Sequence, residues 1–200
     1  MNTNRWDERY GGKEYFFGTE PNGFLATTAP EVPRGKALCI ADGEGRNSVY
    51  LAELGFTVTA MDASRGGMEK ARRLASERGV TIDTVVADLA DFAFGTGAWK
   101  LVVSVFCHLP KQLRADVHRR VVEALEPGGV FVLEAYTPDQ LAYGTGGPPV
   151  AELLAHRDEL EAELSGLEFA VSRETERDVI EGRGHWGKAA VVQILGKKHK

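Results

Sequence analysis

Apolar positions along the chain fall into short runs separated by amphipathic stretches. Leu38, Cys39, Ile40 and Ala41 form a run bounded by Gly35 and Gly43, too short for a typical helix and suited to a strand buried on both faces. The amphipathic stretch that follows ends at Gly55, so strand, tight loop and helix are predicted over residues 36–55, with Asn47 or Ser48 capping the helix and Gly55 closing it. Phe56 to Met61 is rich in β-branched residues and predicts a second strand that ends at Asp62. Met68, Ala71, Leu74 and Ala75 recur at helical spacing, and Gly79 stops that helix. Ile82 to Ala87 predicts a third strand ending at Asp88, and Trp99 to Phe106, the most continuous apolar run, a fourth. Pro110 suits the first turn of the next helix, whose buried side is Leu113, Val117, Val121 and Leu125. A turn at Glu126 to Gly129 then leads into a fifth strand, Val130 to Tyr136.

Alternating strands and helices over the first 136 residues predict a parallel sheet with helices on both faces. Beyond it, TPDQLAYGTGGPP at 137–149 is a long loop, and Leu153, Leu154, Leu160 and Leu164 mark helical structure. Leu167 to Thr175 and Lys188 to Gly196 read as two strands joined by a polar loop, with no helix between them, so antiparallel pairing is expected. The fold class that results is α/β: a Rossmann-like mixed sheet of about seven strands, mostly parallel, with a C-terminal antiparallel hairpin. A single domain over 1–200 is expected.

Composition narrows the function classes. Hydrophobic residues make up 43% and charged residues 26% of the 200 positions, as in an ordinary globular domain. The net charge of −5 argues against nucleic acid as a primary partner, because phosphate binding needs a basic face. No apolar run reaches the roughly 18–20 residues that span a bilayer, and the start MNTNRWDERY lacks a signal-peptide core, so a cytoplasmic location is expected. Cys39 and Cys107 sit in or beside apolar runs and are expected to be small buried hydrophobes, with no disulfide or metal site.

Candidate chemistry gathers at the strand ends. In open parallel sheets ligands bind outside the carboxyl ends of the strands, and Asp42, Asp62, Asp88 and His108 all fall there. Gly43 and Gly45 permit a sharp turn and close approach of a ligand to the backbone, and free amides open the following helix. Asp62 follows Asp42 by twenty positions, close to the spacing at which dinucleotide folds set an acid against ribose hydroxyls; the bland alternative is a helix cap. Residues 5–25 are polar yet carry six aromatic rings. Trp6 and Phe24 are expected to cover the core edge, while Tyr15 or Phe17 can face a small molecule from a lid. His108 is either a helix-start residue bonded to backbone or a base in the pocket, and His185, between Gly184 and Trp186, is either a surface residue or a second base. Tyr143 is a further contact candidate; His118, His156 and His199 are expected to be solvated.

The motifs ADGEGRNSVYLA, TAMDAS, VVADLADF, HLP and LEPGG, in that order, resemble the S-adenosylmethionine-dependent methyltransferases with a Rossmann-like sheet. RWDERY with YFFGTEPNGFL, the YGTGGP loop and EGRGHWG resemble the small-molecule branch that includes tellurite-resistance and thiopurine methyltransferases. The resemblance implies S-adenosylmethionine as cofactor and a small-molecule methyl acceptor as partner. It implies that Gly43 and Gly45 pass the methionine portion with Asp42 and Glu44 near its ammonium, that Asp62 holds the ribose diol, and that Asp88 and Leu89 receive adenine. Val105 and Phe106 would line the methionine side, with Asn47 and Ala63 completing the set. Residues 1–30 would be a lid, and 137–149 and 177–187 acceptor-side loops. The chain departs from the family at Cys39 and Ala41, where an acid and a glycine are usual. That departure keeps a non-catalytic cofactor-binding sensor as an alternative; a nicotinamide oxidoreductase is a third, disfavoured because Ser48 stands where a dinucleotide loop has its third glycine.

Overall fold

The structure is a computed structural model and describes residues 3–199, with side chains from Trp6 onward. Seven strands form one sheet in the order β3-β2-β1-β4-β5-β7-β6. They are β1 (Lys36–Ile40), β2 (Thr57–Asp62), β3 (Asp83–Val86), β4 (Trp99–Val105), β5 (Leu125–Tyr136), β6 (Leu167–Ile180) and β7 (Trp186–Lys198). The first five pair in parallel, and β7 joins β5 and β6 antiparallel. The mixed Rossmann-like sheet expected from the hydrophobic pattern is therefore present. Chain order reverses direction across the sheet between β1 and β4, the switch at which an α/β crevice opens.

Side-chain alternation along each strand feeds two cores. Leu38, Ile40, Val102, Phe131 and Leu133 face one side. There they meet α5 (Lys111–Ala124) through Val117 and Val121, and α6 (Arg157–Glu163) through Leu160. Ala37, Cys39, Leu101, Val103 and Val132 face the other, against Phe24 and Leu25 of α2 (Gly23–Thr28) and Leu51 of α3 (Arg46–Glu53). Two further helices, α1 (Thr3–Tyr10) and α4 (Arg65–Glu77), lie against each other. Among the described residues no helix is long and apolar enough to cross a membrane.

Several local expectations are corrected. The residue capping α3 is Gly45, with no side-chain cap; Asn47 and Ser48 lie inside the helix. There Asn47 Oδ1 accepts the Asn22 amide at 2.9 Å and the Ser48 hydroxyl donates to the Gly45 carbonyl at 3.1 Å. Pro110 is the residue before α5 rather than within its first turn. Ladder pairing on β4 begins already at Leu125, so LEPGG is the irregular start of β5 instead of a free turn. The 137–149 loop carries a short 3-10 segment, Pro138–Ala142. The C-terminal hairpin is longer than its apolar stretches suggest: Asp178, Val179 and Ile180 pair with Lys188, Gly187 and Trp186, which leaves residues 181–185 as the turn. His118 is buried, its Nδ1 2.7 Å from Glu163 Oε2, in a cluster where Arg114 also holds Glu163 and ties α5 to α6.

Candidate functional site

A cavity of about 420 Å³ opens at the carboxyl ends of β1, β2 and β4. Its floor is the loop between β1 and α3, and two glycines in that loop have definite geometric reasons. Gly43 adopts φ 62°, and a Cβ there would stand 2.7 Å from the Tyr10 hydroxyl. Gly45 adopts φ 93°, and its Cβ would fall 2.5 Å from that of Ala71 on α4. Gly43 borders the cavity, whereas Gly45 packs away from it against Ala71. Its absent side chain lets the loop and α4 pack together, a correction to its reading as a ligand-facing position. Ala41, just before the loop, holds φ 50°, a left-handed conformation that costs a residue with a Cβ.

Two carboxylates meet at this floor in different states. Asp62 Oδ2 accepts the Gly43 amide at 2.9 Å and Oδ1 accepts the Ser64 amide at 2.8 Å, which fixes its plane and clamps the ends of β1 and β2 together. Burial raises its pKa and these amides oppose the rise. Asp42 is equally buried, but neither of its oxygens has a hydrogen-bond partner among the described residues. Burial pushes its pKa up to about 7, opposed by the Ser48 hydroxyl and amide, which lie near the carboxylate but outside hydrogen-bonding geometry, and by Arg46. A buried carboxylate without a partner, lining a cavity, is a position that awaits a cation or donor.

Glu44 faces the other way from its expected role. Its Oε1 lies 2.6 Å from Lys70 Nζ, and its Oε2 accepts the amides of Phe16 at 2.7 Å and Phe17 at 3.3 Å. Both oxygens are thus committed to fastening the N-terminal segment over the cavity. Through that fastening Trp6, Arg9, Tyr10, Phe16 and Phe17 become its roof. Trp6 stacks on Tyr10 at 5.6 Å and borders the cavity, a correction to its expected place at the core edge, where Phe24 alone is found. Tyr15 does not border the cavity; its hydroxyl donates to the Lys70 carbonyl and its ring packs beside Val49 and Leu74.

The far wall is aromatic. Phe106, just after β4, holds φ 51° and stacks on Tyr136 at 4.5 Å, while His108 lies parallel to Tyr136 at 5.6 Å. His185 approaches Phe106 at 4.4 Å and Phe17 at 4.7 Å. Both histidines line the cavity, His185 buried and His108 half-buried. Burial lowers His108 to about 4, and burial with nearby Arg46 lowers His185 to about 2, so both rings are neutral at pH 7. Cys107 borders the cavity as a thiol, pushed up to about 12 by burial.

Of the remaining candidates, Asn47, Ala63, Leu89, Val105 and Phe106 line the cavity. Asp88 does not: its Oδ1 accepts the Ala90 amide, which holds its pKa low, and Ala87 and Leu89 on either side face inward. Tyr143 is set aside as well, bonded to Glu176 on the outer face of the hairpin. Within 137–149 it is Gly146, Gly147 and Pro148 that reach the cavity, and within 177–187 only Gly184 and His185 do.

Arg46 was invisible as a site residue from sequence. Its Nη2 pairs with Glu181 at 2.6 Å, while its Nη1 is buried without a partner among the described residues. Glu181 also takes Arg177 and Asn22, and Glu134 takes Arg177, Asn22 and Gln193, so the cavity wall is backed by a buried charge network. Asn22 lies 112 positions from Glu134 and 159 from Glu181, and no local pattern could join them.

The family described as "Methyltransferase domain" matches residues 37–129, which hold β1 to β4, α5 and the cavity floor. That segment, just under half of the chain, is similar to methyltransferase domains. That bears out the family read from the motifs. The chain is 30% identical over 122 residues to a 2-heptyl-1-hydroxyquinolin-4(1H)-one methyltransferase of Mycobacteroides abscessus, covering 59% of this chain and 54% of that protein. An uncharacterized methyltransferase of Synechocystis is 39% identical over 108 residues, 50% of this chain and 47% of its own. The chain thus spans about half the length of the curated relatives it matches. The methyltransferase fold extends beyond the matched segment. A structure solved for conversion of a disulfide bond into a thioacetal group during echinomycin biosynthesis superposes with TM-score 0.81 at 20% identity, covering 100% of this chain and 92% of that one. TehB from Haemophilus influenzae gives TM-score 0.72 at 20% identity over 98% of this chain and 66% of its own. At such identity these likenesses speak for the fold.

Proposed function

We propose that the protein is an S-adenosylmethionine-dependent methyltransferase acting on a small molecule with a heteroatom nucleophile. The observation that carries this reading is the pair of cavity carboxylates: Asp42 buried without a partner, and Asp62 held in one plane by the Gly43 and Ser64 amides. S-adenosylmethionine is a cation with an ammonium, a carboxylate and a ribose diol, and acids suit it where they would repel the pyrophosphate of a dinucleotide. When bound it supplies a methyl group already activated by its positive sulfur.

The residues present fit that molecule. Asp42 would take the ammonium, Asp62 the ribose diol, and Ala63, Leu89 and Val105 the apolar parts beside it. Arg46 Nη1, buried and unpartnered, offers a donor of opposite sign on the same floor. The chain's own work is then to align an acceptor, exclude water and receive a proton. The roof fastened by Glu44 excludes water. Neutral His108 keeps one ring nitrogen with a lone pair that can receive a proton when the acceptor arrives protonated. Phe106, Phe17 and Trp6 present faces that suit a flat acceptor and a sulfonium. The name of the quinolone methyltransferase relative supports an aromatic acceptor of this kind.

The test is transfer of label from methyl-labelled S-adenosylmethionine to a panel that includes 2-heptyl-1-hydroxyquinolin-4(1H)-one, simple phenols and thiophenols. Labelled product with at least one of these is expected. Tight cofactor binding without turnover on the whole panel would favour the sensor instead, a reading that strained Ala41 keeps open.

A further inference from the structure

The Tyr136 hydroxyl and His185 Nδ1 are 2.9 Å apart, and this hydrogen bond has only one satisfactory direction. Tyr136 is fully buried and does not border the cavity, so neither water nor a ligand reaches its hydroxyl. Among the described residues that hydroxyl bonds to nothing but His185. If Nδ1–H donated to the tyrosine oxygen, the phenolic proton would be buried with no acceptor, the arrangement that folded proteins avoid. With the hydroxyl donating, Nδ1 is the acceptor and the single proton of the neutral ring sits on Nε2. Among the described residues Nε2 has no hydrogen-bond partner, and the ring lines the cavity. Burial keeps the Tyr136 proton in place by raising its pKa well above the ordinary phenol value, and Arg46, Arg177 and Arg9 help keep the His185 ring from a second proton.

We infer that Tyr136 is a positioning residue that fixes His185 in its Nε2–H tautomer. His185 then meets the methyl acceptor as a hydrogen-bond donor and selects molecules with a lone pair beside the atom to be methylated. The selection rests on the proposed methyltransferase reading; the tautomer does not. His185 is thereby removed from the role of general base, which leaves His108 to receive the proton. The acceptor class that fits is an aromatic ring carrying a hydroxyl or thiol next to a ring nitrogen, carbonyl or oxide oxygen. The three arginines around His185 favour negative charge building on that neighbouring atom.

Long-range nitrogen–proton correlation spectra of 15N-histidine protein, with His185 assigned by its loss in His185→Gln, read the tautomer without any turnover. Protonated Nε2 and bare Nδ1 are expected in the wild type, and mixed tautomers in Tyr136→Phe; protonated Nδ1 in the wild type overturns the proposal even where the variant fails to fold. The selection is read by calorimetry with 8-hydroxyquinoline and its isostere 1-naphthol, in the presence of S-adenosylhomocysteine and EDTA. The wild type should bind 8-hydroxyquinoline at least tenfold more tightly, and Tyr136→Phe should reduce the preference below threefold. Equal affinities in the wild type, binding of neither probe, or an undiminished preference in the variant would overturn the selection. Absence of methyl transfer with the tautomer and preference intact would instead count against the enzyme reading.

Discussion

Lys70 on α4 and Glu44 in the loop after β1 form an ion pair of 2.6 Å in which both side chains are buried. The pair joins three parts of the chain, because Glu44 also holds the Phe16 and Phe17 amides and Lys70 donates to the Glu14 carbonyl. Removing one partner strands the other charge. Glu44→Ala should therefore destabilise the protein by about 3–5 kcal/mol in urea unfolding, and Glu44→Ala/Lys70→Met should recover part of that loss. A single-variant loss below about 1 kcal/mol, the range of exposed pairs, would show that the roof is fastened elsewhere.

Ala41 is the second expected gain or loss. Its φ of 50° strains a residue with a Cβ, so Ala41→Gly should stabilise the fold by up to about 1 kcal/mol, the relief being partly offset by the freer unfolded chain. A shift of the urea midpoint upward with unchanged slope is the expected result; a downward shift would mean that the Ala41 methyl contributes more packing than its backbone costs.

The pH dependence of Asp42 has a definite sign. Its folded pKa of about 7 lies above the ordinary carboxylate value, so the folded state holds the proton longer. The stability this group supplies is full below about pH 4 and is lost as pH rises towards 7. Asp42→Asn should gain on the wild type across that window by on the order of 4 kcal/mol, and parallel stability profiles would refute the assignment. On the proposed reading, a bound ammonium displaces the proton. Calorimetry near pH 7 in buffers of different ionisation heat should then show proton release for the wild type and none for Asp42→Asn.

What was legible in sequence was whatever repeats locally. The runs at Leu38–Ala41, Phe56–Met61 and Trp99–Phe106 became β1, β2 and β4 nearly as bounded, because a strand buried on both faces has no choice but a continuous apolar run. Where a strand is half exposed the pattern dissolves: β6 continues through Glu176, Arg177 and Asp178, polar residues that look like loop but alternate between solvent and the network behind the cavity. The resemblance placed the strand-end acids but could not show where each carboxylate points. Asp42 and Asp62 face the cavity, Glu44 turns to Lys70, and Asp88 folds back on Ala90. Arg46 and Tyr136 gave no signal at all, since their meaning lies in Glu181 and His185, which the chain brings to them only after the sheet is complete.

Asp62 offers the most direct test of the central claim, that this cavity holds S-adenosylmethionine. Calorimetric titration of the wild type and of Asp62→Ala with S-adenosylhomocysteine and with NAD, each protein checked by circular dichroism, measures it. The account predicts one S-adenosylhomocysteine site in the wild type, no NAD binding, and at least a tenfold weaker site in the folded variant, since charged hydrogen bonds contribute about 1.5–3 kcal/mol. Binding of NAD alone, or equal S-adenosylhomocysteine affinity in both proteins, would contradict it.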